Sequence, residues 1–279
     1  MNRKLMLLVV VVLVLAAGGA VLYINRPSAV AERALATLAK ATTADFSARL
    51  NVANSTSTQQ LLGEEGTVDI GLQGQWKRED GPDSVATHVA LTTQTPSVSV
   101  KIEGEVRLIA DKIYWQITTT PQAFPALVRL KDQWVMIGRD EAPKREAAAD
   151  RQKPVLADVR RVGVESIGGV STVHYKAVAS EQTMIAFMDG LAEVLGTSLS
   201  QAQIDQIKTS VAKVQSVPLD IWVPQWGNEP KQLRVSLAVP DGNTVQFTLT
   251  FDSLNKPVKI AAPAGAKTLQ EIAQQSAAQ

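Results

Sequence analysis

Leu5 to Ile24 (LMLLVVVVLVLAAGGAVLYI) is an unbroken apolar run. Arg3-Lys4 precede it and Asn25-Arg26-Pro27 end it. As a helix rising about 1.5 Å per residue, about 20 such residues cross a hydrocarbon core of about 30 Å. Two readings stand. Leu5 to Leu15 can serve as a signal-peptide h-region, with Ala16-Ala17-Gly18-Gly19-Ala20 supplying small residues for cleavage. The run continues through Val21-Leu22-Tyr23-Ile24, however, which fits an uncleaved anchor with Tyr23 at the interface. Arg3 and Lys4 favour a cytoplasmic N-terminus. Residues 1–26 are therefore expected to form an N-terminal membrane anchor (or signal peptide), and residues 27–279 an extracytoplasmic domain. That places the protein at the cytoplasmic membrane as a single-pass chain.

Beyond Pro27 the pattern changes twice. Ala31, Ala34, Leu35 and Leu38 fall on one face at helical spacing, so a helix is predicted over 29–41 with Ser28 as its cap. Apolar residues then alternate with polar ones. Val68, Ile70 and Leu72 do so, as do Val98, Val100 and Ile102, and Ile113, Trp115 and Ile117. The pattern returns at Leu219, Ile221 and Val223, at Leu233, Val235, Leu237 and Val239, and at Val245, Phe247, Leu249 and Phe251. Period two marks strands with one dry and one wet face. Turn signals are read at Glu103-Gly104-Glu105, at Ala110-Asp111-Lys112, at Gly168-Gly169 and at Pro240-Asp241-Gly242-Asn243. Roughly nine to eleven strands are expected, mostly antiparallel and sequentially paired.

Helices interrupt this series. Met184, Phe187, Met188, Leu191, Val194 and Leu195 share one broad face of a segment from Thr183, which Gly196 stops. Ser200-Gln201-Ala202-Gln203 reads as a capping box for a second helix, which Pro218 ends. A last helix is predicted from Thr268, with Glu271 completing its capping box. Helix, strands, helix pair, strands is an α+β order rather than an alternating one. The charged stretch from Gly138 to Pro154 reads as a solvated loop.

Composition narrows the chemistry. The first 26 residues hold three of the 28 Lys and Arg, which leaves 25 against 27 Asp and Glu in the remainder. A near-neutral domain of this kind offers no nucleic-acid surface. There is no cysteine, so disulfides, thiolate metal sites, thiol nucleophiles and a lipid-modified N-terminal cysteine are all excluded. His88 and His174 are the only histidines and lack metal-ligand spacing. His174 alternates with Val173 and Tyr175 beside Lys176, which predicts a water-facing side chain. No nucleophile elbow, phosphate loop or dinucleotide fingerprint occurs. The chain reads as a non-enzyme without metal or cofactor.

Two stretches carry a resemblance. Glu165-Ser166-Ile167-Gly168-Gly169-Val170-Ser171-Thr172-Val173-His174-Tyr175-Lys176 resembles a strand pair of bacterial lipoprotein-like envelope proteins. Phe251-Asp252-Ser253-Leu254-Asn255-Lys256-Pro257-Val258-Lys259-Ile260, followed by Ala262-Pro263, resembles their closing strand. The chain is thus similar to the LolA/LolB lipoprotein carriers and the LppX/LprG lipid-binding lipoproteins, with no anchoring cysteine. The resemblance implies a curved antiparallel half-barrel covered by helices around an apolar cavity, here preceded by one transmembrane helix. The expected cavity lining is Ile70, Leu72, Val100, Ile113, Trp115, Phe187 and Leu191, with Trp115 on the dry face. The expected partners are the membrane, through Leu5–Ile24, and a lipid or lipidated protein. The alternative is an envelope interaction or sensing domain with a filled core and no small ligand.

Overall fold

The computed structural model describes residues 29–55, 64–78, 84–110, 112–121, 124–138, 156–179, 205, 217–238 and 244–277. Among these, twelve strands form one open sheet. They are β1 (Thr43–Ser55), β2 (Gly66–Lys77), β3 (Ser84–Gln94), β4 (Ser99–Ile109), β5 (Lys112–Thr119), β6 (Val135–Gly138), β7 (Leu156–Ile167), β8 (Val170–Ala179), β9 (Val217–Pro224), β10 (Gln232–Ala238), β11 (Thr244–Leu254) and β12 (Lys267–Thr268). The described helices are α1 (Ala29–Lys40), α2 (Pro125–Val128) and α3 (Leu269–Ala277).

The strand order is β12-β6-β5-β4-β3-β2-β1-β11-β10-β9-β8-β7. Two antiparallel meanders, β1 to β6 and β7 to β11, are joined where β1 pairs with β11. Among the described strand pairs, the short β12–β6 pairing is parallel and the others are antiparallel. The result is a large, open, curved antiparallel sheet with few helices.

Cross-strand register explains the core. Leu50 pairs with Ile70 and with Phe247, and Ala48 pairs with Leu72 and with Leu249. Beyond β11, Leu233 pairs with Leu249 and with Ile221, and Ile221 pairs with Tyr175. Partners in register share a face, so the period-two apolar positions make one inner face. Helix α1 lays Ala31, Ala34, Leu35 and Leu38 on this face, each fully buried. Small alanines let the helix approach closely. Its C-terminal end is held by Asn255, whose Oδ1 accepts from Thr42 N at 2.9 Å, while Asn255 N donates to Thr43 O at 2.9 Å. Asn255 adopts φ 57°, a left-handed conformation that asparagine tolerates.

Several sequence expectations need amendment. The series has twelve described strands rather than nine to eleven; β12 is only two residues long, too short to show any alternation. Glu103-Gly104-Glu105 is not a turn. It lies inside β4, with a register shift between Glu103 and Gly104. Glycine flanked by charges signals a bulge as well as a turn. The hairpin expected at 240–243 is supported by β10–β11 pairing from Leu233↔Leu249 to Ala238↔Thr244. The capping box at α3 forms: Thr268 N donates to Glu271 Oε2 at 2.7 Å and Glu271 N to Thr268 Oγ1 at 3.2 Å. The apolar run 5–24, the loop 139–154 and the helix pair expected over 183–215 lie outside the described residues, apart from helical Asp205. Among the described residues no helix is long and apolar enough to cross a membrane.

Candidate functional site

Of the described helices, α1 is the one whose residues join the buried core of the inner face. Over β3, β4 and β5 the inner face carries a cavity of about 180 Å³. Ile70, Val89, Leu91, Ile102, Val106, Trp115 and Ile117 line it, with Glu103, Gly104, Glu105 and Gln116 completing the wall. Its position follows from register. One row across the sheet reads Leu72, Val89, Gly104, Ile117, and the next reads Gly74, Thr87, Val106, Trp115. Each row has a glycine where its neighbours have bulk, so the inner face dips. Gly104 cannot be filled. A Cβ there would collide with the backbone oxygen of Gln116.

The charges of these strands stay on the other face. Glu103 and Glu105 pair in register with Ala90 and His88, on the outer side. Glu103 Oε1 lies 2.7 Å from Lys101 Nζ, and Thr119 Oγ1 donates to Glu103 Oε2 at 2.9 Å. The Lys101 ammonium, then the Thr119 hydroxyl, hold the Glu103 carboxyl below its ordinary value. Glu105 pairs with Arg107 at 3.1 Å, and Arg107 in turn donates to Ala261 O at 2.9 Å. The cavity wall is therefore apolar, with no ionised group directed into it. One polar atom is stranded nearby. The indole N–H of Trp115 is buried without a hydrogen-bond partner.

The seven residues expected to line a cavity separate into four fates. Ile70 and Trp115 line it. Leu72, 3% exposed, and the half-buried Ile113 belong to the packed core instead. Val100 is half-buried on β4 opposite Thr93, beyond the lining residue Ile102. Phe187 and Leu191 lie outside the described residues. Trp115 is on the dry face as expected but only half-buried, because the cavity opens beside it. Val89 and Leu91 were missed. Val85, Thr87, Val89 and Leu91 alternate through β3, and the threonine interrupts an otherwise apolar series. Val106 lies past the turn reading at Gly104, whereas Ile102 and Ile117 stand in the alternating runs Val98–Ile102 and Ile113–Ile117, which mark their face and not the cavity.

A second cluster occupies the outer face over β7, β8 and β9. His174 does point away from Val173 and Tyr175, but it does not face water: it is 6% exposed. Its Nδ1 lies 2.7 Å from Glu165 Oε1 and its Nε2 lies 2.6 Å from Asp220 Oδ1. Each ring nitrogen thus has a carboxylate oxygen at hydrogen-bond distance. Trp222 stacks on it, and Trp222 Nε1 donates to Glu165 Oε2 at 2.9 Å. The Trp222 indole, then the His174 ring, hold the Glu165 carboxyl below its ordinary value. Both ring nitrogens are thus engaged. Among the described residues no group of acidic and histidine side chains has the form of a metal site.

No family model matches the chain, and no curated protein matches its sequence. Solved structures do. Lipoprotein LppX from Mycobacterium tuberculosis aligns at 13% identity, covering 84% of this chain and 97% of its own, with a TM-score of 0.40. LprF from Mycobacterium bovis aligns at 12% identity, covering 86% and 100%, with a TM-score of 0.45. An outer membrane lipoprotein-sorting protein domain from Vibrio parahaemolyticus aligns at 9% identity, covering 88% and 97%, with a TM-score of 0.23.

Proposed function

We propose that this chain is a non-enzymatic, membrane-anchored extracytoplasmic domain that holds the apolar part of a lipid, or of a lipidated protein, over β3 to β5. The observation that carries this reading is an apolar cavity in a sheet whose charged side chains stand on the opposite face. A cavity of about 150 Å³ with aliphatic and aromatic walls stays dry and takes a benzene-sized guest. A half-open apolar pocket of about 180 Å³ suits one end of an apolar chain, held by about 25 cal/mol per Å² of area removed from water. His174, the residue type most used as a general base, has both nitrogens occupied by carboxylates, which supports a binding role over a catalytic one. The Leu5–Ile24 run supplies the anchor in this reading, with the domain outside the cytoplasmic membrane.

The filled-core alternative has its own observation. Between α1, β1, β2 and β9 to β11 the inner face is close-packed, and the cavity is confined to one side of it. Native mass spectrometry on the full chain distinguishes the two. Co-purified lipid, with a photoactivatable fatty acid labelling Ile102, Val106 or Trp115, is the expected result. Absence of both lipid and labelling removes the binding reading and leaves the interaction domain.

A further inference from the structure

The sheet ends at β7, which pairs only with β8 among the described strands. A strand edge presents a row of unpaired amide and carbonyl groups, a template for another strand. Here the edge strand exposes two valines, Val162 at 50% and Val164 at 47%, among the charged Asp158, Arg160, Arg161 and Glu165. Between these valines Gly163 is open: a Cβ placed there meets nothing within 4 Å.

Register gives this edge a symmetry. A bulge between Arg161 and Gly163 sets Arg161 and Val162 together opposite Tyr175, so the two count as one step along the strand. Gly163 then stands opposite His174, Val164 opposite Val173, Glu165 opposite Thr172 and Arg160 opposite Lys176. Consider an antiparallel copy with its two-fold axis at Gly163. Gly163 meets its own copy. The Arg161–Val162 step meets Val164 on the inner face. Arg160 meets Glu165 on the outer face, and each contact occurs twice. A self-complementary patch of this kind is what a two-fold interface requires.

A charge argument singles out the second copy over other strands. Arg160 and Lys176 are direct cross-strand partners, two cations opposite each other, which is unfavourable. Lys176 has Asp220 at 4.0 Å. A carboxylate arriving beside Arg160 completes the pattern, and Glu165, with 45% of its side chain exposed, offers one.

We propose that two copies of this chain associate through β7, antiparallel about Gly163, to make one continuous sheet.

The absence of cysteine makes the test clean, since any cysteine introduced is the sole thiol. Full-length Gly163→Cys in isolated membranes should form a disulfide-linked dimer on mild oxidation. Ser166→Cys should not, because the two copies of residue 166 would stand about 20 Å apart along the paired strands, at about 3.3 Å per residue. The double variant Val162→Cys/Val164→Cys reports the same register without altering the glycine. Adding Arg160→Glu to Gly163→Cys should lower the dimer yield at least fivefold. Equal linking at 163 and 166, or no dimer from either Gly163→Cys or the valine pair, overturns the proposal. A dominant adduct with a different protein does so too, and assigns the edge to another partner.

Discussion

His174 stacks on Trp222, with ring centroids 4.3 Å apart and planes 14° from parallel. The contact ties β8 to β9 from the outside, and Glu165 brings in β7 by binding both rings. The Arg234 guanidinium lies over Trp222 at 4.8 Å, which adds β10. Four strands at one end of the sheet are thus fastened by a polar stack on the face that elsewhere meets water. Removing His174 takes a hydrogen-bond partner from the largely buried Asp220 and from the half-exposed Glu165, which costs about 1–3 kcal/mol. His174→Ala should lose about this much in urea unfolding of the full-length protein. A loss near the 0.5 kcal/mol typical of surface positions would mean the two carboxylates simply rehydrate.

The same cluster sets a pH dependence. The Glu165 carboxyl is held below its ordinary value, first by the Trp222 indole and then by His174. Its ionised form is therefore favoured by folding. The sign follows from linkage: this stability is present above the unfolded carboxyl value of about 4.3 and disappears as pH falls through the lower folded value. Glu64, Glu103 and Glu271 are lowered in the same direction, so wild type should show a general acid loss. Glu165→Gln should flatten that acid limb relative to wild type while lowering stability at neutral pH. Parallel curves for the two proteins would mean that Glu165 does not contribute.

Gly104 and Gly163 make a controlled pair. Both lie in strands and both neighbour a register shift. A methyl at Gly104 collides with the Gln116 backbone, whereas a methyl at Gly163 meets open space. Gly104→Ala should cost about 1–3 kcal/mol through forced backbone movement. Gly163→Ala should stay within about 0.5 kcal/mol. Denaturant midpoints decide, and equal effects would place the cavity floor elsewhere.

Alternation made much of the sheet legible in the sequence, because a half-buried strand writes its two faces into period two. Val68 to Leu72, Leu219 to Val223 and Leu233 with Val235 all pack on the inner face as that pattern predicts. The pattern fails where the outer face is not simply wet. His174 obeys alternation, yet Glu165, 9 positions away in sequence, and Asp220, 46 positions away, bury it together with Trp222. Alternation gives a residue's face and says nothing of what lies on that face. Glycine was the other source of error. At Gly104 it marks a bulge inside a strand, and the turn reading hid Val106 from the expected lining. The cavity arises from rows pairing glycine with bulky neighbours across strands, and that coincidence depends on register rather than on any one segment.

Cavity filling tests the ligand site directly. Ile102 lines the cavity on β4, in register with the lining residue Leu91. Ile102→Trp places an indole in the void and should remain folded, since overpacking costs about 1–3 kcal/mol out of a typical total of about 5–15. Val98→Trp is the control, because Val98 is 45% exposed just before β4. Native mass spectra of the two variants, purified identically, should show at least tenfold less lipid retained by Ile102→Trp, about 1.4 kcal/mol of lost affinity. Val98→Trp should retain lipid as wild type does. Undiminished lipid on Ile102→Trp would place the ligand outside this cavity, and the register argument that locates it would fall with it.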